Sequence, residues 1–203
     1  MDKSNKEKII LSLCSGTGAW EKPYAQAGYN IISITLPGQD VRLYEPPDNI
    51  YGILAAPPCT MFSLARTRAK KERCFYEGME TVRACLDIVW ECRSKIKYKK
   101  DGALKFWCIE NPMGFLRQFL GMPYHIFDPC DYGDRYTKKT DLWGYFNIPK
   151  KKQTQLNNEE LKRCKINNRK LPYIQNIPGG KHQSARRSIT PPGFAKAFFL
   201  SNQ

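Results

Sequence analysis

An α/β fold, with a largely parallel sheet and helices on both faces, is the architecture this sequence predicts. Three observations predict it. Short apolar runs of strand length recur along the first half of the chain. Helix-compatible stretches separate them. Each run ends in a glycine, proline or polar cluster rather than in a hairpin turn.

Taken in order, residues 9–14 form a buried strand that runs into the glycine turn Ser15-Gly16-Thr17-Gly18. A helix follows over about 20–27, with Pro23 tolerated in its first turn and Gly28 as its stop. Residues 31–36 are a second strand, closed by Pro37-Gly38, and 53–56 are a third, ending at Pro57-Pro58-Cys59. Val82, Cys85, Leu86, Val89 and Trp90 fall at helical spacing. They predict a long amphipathic helix over about 70–94 whose apolar stripe is core. Residues 106–109 are a further strand, delivering Glu110-Asn111-Pro112 at its end. Pro192 starts a last helix with Phe194, Ala197, Phe198 and Phe199 on its apolar side. In parallel sheets ligands sit beyond the carboxyl ends of the strands, so the glycine, Cys59 and Glu110 clusters are expected to share one edge.

The chain has 203 residues, 41% of them hydrophobic, enough for one domain with a real core. Its formal net charge of +14 favours a polyanionic partner, nucleic acid above all. From 150 to 187 there are eleven Lys or Arg against two Glu, with Tyr173 the only aromatic, a net +9 of that total. The segment fits either a solvated insert or a nucleic-acid-contacting lobe. The division expected is therefore a core over 1–146, a basic insert over 147–187, and a C-terminal helix over 188–203 that returns to the core. Eight cysteines with irregular spacing and no CxxC pair give no support for a metal site. The opening MDKSNKEKIILSLC holds an apolar run too short for a secretory signal or a membrane span. Reduced cysteines, an intracellular protein of a prokaryotic or virally infected cytoplasm, no membrane partner and a monomer are the expectations.

Three clusters carry chemistry. Two glycines between strand and helix let a ligand approach the backbone, although ordinary tight turns use them too. Two prolines aim Cys59, and Arg66 and Arg68 behind it could lower its pKa; the plain alternative is a buried structural thiol. Glu110 at a strand end can act as an acid if poorly solvated, or simply cap a following helix, and taken alone the cap is the better reading.

Together, and in this order at roughly 40–50 residue intervals, the clusters resemble the DNA cytosine-5 methyltransferase family. Leu13-Cys14-Ser15-Gly16-Thr17-Gly18-Ala19-Trp20 resembles its cofactor motif LFxGxGGF, and Ala27-Gly28-Tyr29 the stop after the next helix. Pro57-Pro58-Cys59 with Phe62-Ser63 resembles PPCxxFS. Glu110-Asn111 resembles ENV, with Pro112 replacing Val. Asp131-Tyr132-Gly133 resembles the turn that opens QxRxR. Ser188-Ile189-Thr190-Pro191-Pro192 resembles the final NSVPP. The sequence departs from the family in three places. Ile34-Thr35-Leu36 lacks the acid that usually holds the ribose. QxRxR becomes Tyr136-x-Lys138-x-Thr140. Only roughly 50 residues stand where the family has a recognition domain, the bottom of the domain size range.

The resemblance implies a Rossmann-like methyltransferase fold that binds S-adenosylmethionine. It implies methyl transfer to carbon 5 of cytosine in DNA through a covalent Cys59 adduct, with Glu110 acting on the base. The implied cofactor residues are Ser15, Gly16, Thr17, Gly18, Trp20, Asp40, Pro58, Ser188 and Thr190, with Trp20 stacking near the cofactor and Asp40 on the adenine. The expected nucleic-acid contacts are Ser63, Arg66 and Arg68 in a mobile basic loop over 60–73, Lys138 or Lys139 in place of the motif arginines, and Lys150, Lys151 and Lys152 in the insert. A same-fold enzyme acting on RNA cytosine or moving a larger group, and a DNA-binding relative without catalysis, are the alternatives.

Overall fold

A computed structural model describes residues 3–66, 69, 71–96, 104–152, 159, 171, 174 and 187–203. Its centre is a six-stranded mixed sheet. The strands are β1 (Ile9–Leu13), β2 (Asn30–Ile34), β3 (Ile50–Ala55), β4 (Phe106–Pro112), β5 (His125–Phe127) and β6 (Thr140–Tyr145). Their spatial order is β2-β1-β3-β4-β6-β5. The first four are mutually parallel, as expected. The last two were not foreseen: β6 runs antiparallel to β4, and β5 antiparallel to β6.

Period-two alternation divides the core between the two faces of the sheet. Leu11, Leu13, Ile53, Ala55 and Ile109 face one side, where they pack with Val82, Cys85 and Val89 of helix α2 (Phe75–Ile96). Ile10, Leu54, Phe106, Cys108 and Leu142 face the other. There they meet Tyr24 of α1 (Lys22–Gln26) and Phe194 and Phe198 of the C-terminal helix. That helix, α4 (Pro192–Ser201), follows the single turn α3 (Arg117–Leu120). It is tied down by Asn202, whose amide donates to the Asn147 carbonyl at 3.0 Å while its Oδ1 accepts from the Asn147 N–H at 2.8 Å.

Three expectations change. The long helix begins at Phe75 rather than near residue 70, because the Arg66 side chain takes the carbonyls of Lys71 and Glu72 that an earlier helical turn would use, while Arg73 just before it is turned back to the Cys59 loop. Arg66 donates to the carbonyls of Lys71 and Glu72, and Arg73 to those of Met61 and Ser63. Trp90 is 61% exposed rather than core, with the Arg93 guanidinium 5.5 Å from its ring centre. And β4 does not stop before Glu110. It continues through Pro112 because β6 pairs with it, Glu110 opposite Leu142 and Asn111 opposite Asp141. That pairing needs Gly144 at φ +150, where a Cβ would stand 2.1 Å from the Trp107 carbonyl oxygen.

Candidate active site

The parallel register brings the ends of β1, β3 and β4 to one edge, and a cavity of about 930 Å³ opens there. It is lined by Ser15, Gly16 and Thr17 after β1, by Pro58, Cys59 and Ser63 after β3, and by Glu110 on β4. Asp40, Arg66, Lys138, Ser188 and Thr190 line it as well. Residues far apart in sequence thus meet in one chamber, within the size range of a small-molecule site.

The glycine turn is held open by its backbone. Gly16 and Gly18 are left-handed, at φ +57 and +72, and a Cβ on Gly16 would meet no atom within 4 Å. The Gly16 N–H donates to Thr35 Oγ1 at 3.3 Å, so the residue after β2 braces the turn. Asp40 is at the rim. It accepts from the Arg42 backbone N–H at 3.0 Å and pairs with the Arg42 guanidinium at 2.5 Å. That guanidinium holds its carboxyl at about 2.

The loop that carries Cys59 is fixed from three directions. The Cys59 carbonyl accepts from the N–H groups of Phe62 and Ser63, at 2.9 and 2.8 Å. Phe62 is fully buried, with its ring 6.1 Å from that of Phe75. Asn111 is fully buried too and donates to the Pro57 carbonyl at 2.9 Å, anchoring the proline pair to β4. In the sequence Asn111 stands only as part of a motif; its anchoring role comes from a contact 54 positions away in the chain.

At this end of the cavity three charge-bearing groups are crowded together. The Glu110 and Lys138 side chains are 12% and 9% exposed, with Oε1 and Nζ 3.9 Å apart. Burial pushes the Glu110 carboxyl up; the Lys138 charge pulls it down and Asp141 pushes it up again. Cys59 is raised rather than lowered. Burial comes first, then the Glu110 charge, with Lys138 acting against both. The expected arginine activation fails because Arg66 is turned to the carbonyls of Lys71 and Glu72. Glu110 is a strand residue, not a helix cap.

The other candidates fall as follows. Trp20 does not line the cavity: it is 3% exposed, with its ring 5.4 Å from Phe198 in the opposite core. Gly18 also lies outside the lining; a Cβ there would meet the Glu21 carboxylate at 3.3 Å. Lys138 is buried, donating to the Arg187 carbonyl at 3.0 Å, so it tethers the C-terminal segment instead of presenting itself to phosphates. Lys139 is exposed, and its carbonyl accepts from the Met113 N–H at 3.0 Å. Lys150 and Lys152 are exposed, and Lys151 pairs with Asp131 at 2.9 Å; none of the three lines the cavity. Arg68 and most of 147–187 lie outside the described residues.

No helix among the described residues is long and apolar enough to cross a membrane. No protein-family model matches the chain, and no curated protein matches it either.

Proposed function

We propose that the chain is a Rossmann-like methyltransferase that uses S-adenosylmethionine to methylate carbon 5 of cytosine in DNA, acting as a monomer with Cys59 as nucleophile. The observation that supports this reading best is the single cavity lined at once by the Ser15–Gly16–Thr17 turn, Cys59 and Glu110. The residues fit the cofactor. The open space over Gly16 suits a ligand against the backbone, and Asp40 on the rim suits the adenine amine.

The chemistry follows from the crowded end. Bound S-adenosylmethionine supplies an electrophilic sulfonium methyl, which carbon 5 of the base takes up. The Cys59 thiol gives its proton to solvent water and its sulfur bonds to carbon 6 of the ring, while Glu110 gives a proton to ring nitrogen 3. Loss of the carbon-5 proton to a base then lets the Cys59 sulfur leave, and Glu110 recovers its proton. The two side chains favour this division of protons: a neutral Glu110 removes the charge that raises the thiol, and Lys138 offsets the thiolate. The target base has to leave a duplex stack to enter the cavity.

The raised Cys59 thiol favours a second reading, a nucleic-acid-binding relative without turnover. Covalent trapping separates the two. DNA carrying 5-fluorocytosine, with S-adenosylmethionine, is expected to give an irreversible adduct with the native protein and none with Cys59→Ser. An adduct that persists in Cys59→Ser removes Cys59 as the nucleophile. No adduct with the native protein, on DNA or on RNA, leaves the binding-only reading.

A further inference from the structure

The edge of the sheet opposite the Cys59 cavity carries a second, smaller cavity of about 450 Å³. β3 and β4 enter the sheet there and the antiparallel β6 leaves it. Tyr51, Lys105 and Tyr145 therefore meet at its walls, together with Tyr124 just before β5. Its inner wall is aromatic core, because Phe106 and Phe146 line it and are themselves buried. Two of its rings are open to solvent: Tyr124 is 58% exposed and Tyr145 68%. Tyr124 is held all the same, with its ring centre 5.2 Å from that of Phe146 at an edge-on angle of 83°.

The charged side chain in this lining is a lysine. Lys105 is exposed, and among the described residues its ammonium has no hydrogen-bond or ion-pair partner. No Asp or Glu is among the described residues that line the cavity. Lys8 adds a second cation at the same edge, its Nζ 5.0 Å from the centre of the Tyr51 ring. In sequence, residues 95–105 lead up to β4 with five Lys and Tyr98 against one Asp. Open tyrosine rings stack on the face of any nucleobase, and a free ammonium beside them takes a phosphate. The volume is at the lower end of the small-molecule range, room for one nucleotide and not for a duplex. A duplex keeps its base faces inside the stack, so an unpaired strand is what can offer one.

We propose that this second cavity holds one unpaired nucleotide of a nucleic-acid strand, with its base against Tyr124 and Tyr145 and its phosphate on Lys105. The six residues of β3 separate this edge from the Cys59 cavity by about 20 Å, so the nucleotide held here is not the base that enters that cavity. The site is a separate hold on nucleic acid and stands whether or not Cys59 is a nucleophile.

The test is photocross-linking of the full chain to a short single-stranded oligonucleotide carrying 5-bromodeoxyuridine. No cofactor is added, so the outcome does not depend on how the Cys59 cavity is read. Digestion and mass mapping are expected to place cross-links on Tyr124 or Tyr145. Cross-links confined to residues of the Cys59 cavity overturn the proposal. Fluorescence anisotropy measures the strength of the contact. The double variant Tyr124→Ala/Tyr145→Ala is expected to bind the oligonucleotide about tenfold more weakly. Tyr124→Phe/Tyr145→Phe should bind as the native chain does, because the ring and not the hydroxyl stacks. Blunt duplex of the same sequence should bind all three alike. Lys105→Ala should lower the slope of log affinity against log salt by about 0.7. Native affinity in the alanine variant, or an equal loss on duplex, overturns the proposal. Displacement of the cross-link by an equal concentration of thymidine monophosphate overturns the strand as occupant in favour of a free nucleotide. Both tyrosines are exposed, so the variants should keep the native unfolding midpoint; where one does not, the native cross-link map decides alone.

Discussion

The two ends of the cavity carry the same elements, a carboxylate beside a cation, and put them to different uses. At the rim, the partly exposed Asp40 and the exposed Arg42 are held at 2.5 Å, and the carboxyl falls to about 2. At the deep end, Glu110 and Lys138 stand 3.9 Å apart with little solvent, and the carboxyl rises. The rim pair has the better geometry and the smaller consequence. Solvent screens it, and its backbone bond makes it a cap for the turn at Val41–Leu43. The deep pair is looser, and lost solvation outweighs the nearby cation. Proximity of charges does not mark a reactive carboxyl; the balance between solvation and partner does.

The largest break in this comparison is expected from Glu110→Gln. Turnover should fall by about 10² to 10⁴-fold with cofactor binding kept, measured by methyl transfer and by calorimetry. Near-native rates would reduce Glu110 to a strand residue. The same variant carries a stability prediction with a definite sign. Because the folded carboxyl titrates above the unfolded one, native stability falls as pH rises from the ordinary glutamate range through the raised value. Glu110→Gln has no such group, so its stability advantage over the native chain should grow across that window. Denaturant midpoints at acid and neutral pH measure it.

Asn111→Ala should cost about 1–3 kcal/mol, because a buried amide leaves the Pro57 carbonyl without its donor. Urea unfolding measures the loss, and trapping should slow as the loop loosens. Cost without slower trapping would make the anchor structural only.

Lys138→Met should move both deep groups in one direction. Its charge lowers Cys59 and Glu110 alike, so both should titrate higher without it. The pH profile of Cys59 alkylation, followed by peptide mapping, should shift upward; an unmoved profile would separate the lysine from the thiol. The smallest effect belongs to the rim. Asp40→Asn should leave the unfolding midpoint unchanged within error, and a marked loss would show the rim pair to be more than a solvated cap.

The legible part of the fold is local. The runs read as 9–14, 31–36 and 53–56 were visible because they are apolar and stop at glycine or proline; the strands themselves are Ile9–Leu13, Asn30–Ile34 and Ile50–Ala55, the second a half-buried edge strand. The strands His125–Phe127 and Thr140–Tyr145 were not. Three residues give no period, and the second mixes Thr, Asp and Gly with Leu, Trp and Tyr. Lys138 read as a surface cation for the same reason: nothing around it in sequence signals burial. Trp20 read as a cofactor platform because a motif gives position along the chain, not the direction of a ring. Its ring instead meets Phe194 and Phe198, nearly 180 residues later.

What the sequence alone determined was the first strands and the residue types that follow them, a glycine turn and a proline-fixed thiol, with a carboxylate on a further strand whose end it placed too early. Backbone chemistry dictates these, since glycine, proline and apolar periodicity act over a few residues. Tertiary structure alone decided the environment of each group. It turned β6 back beside β4, drew Lys138 under the Arg187 carbonyl and against Glu110, and tied Asn111 to Pro57. The ionisation of a side chain depends on solvent removed and charges brought near, and both come from contacts between residues distant in the chain.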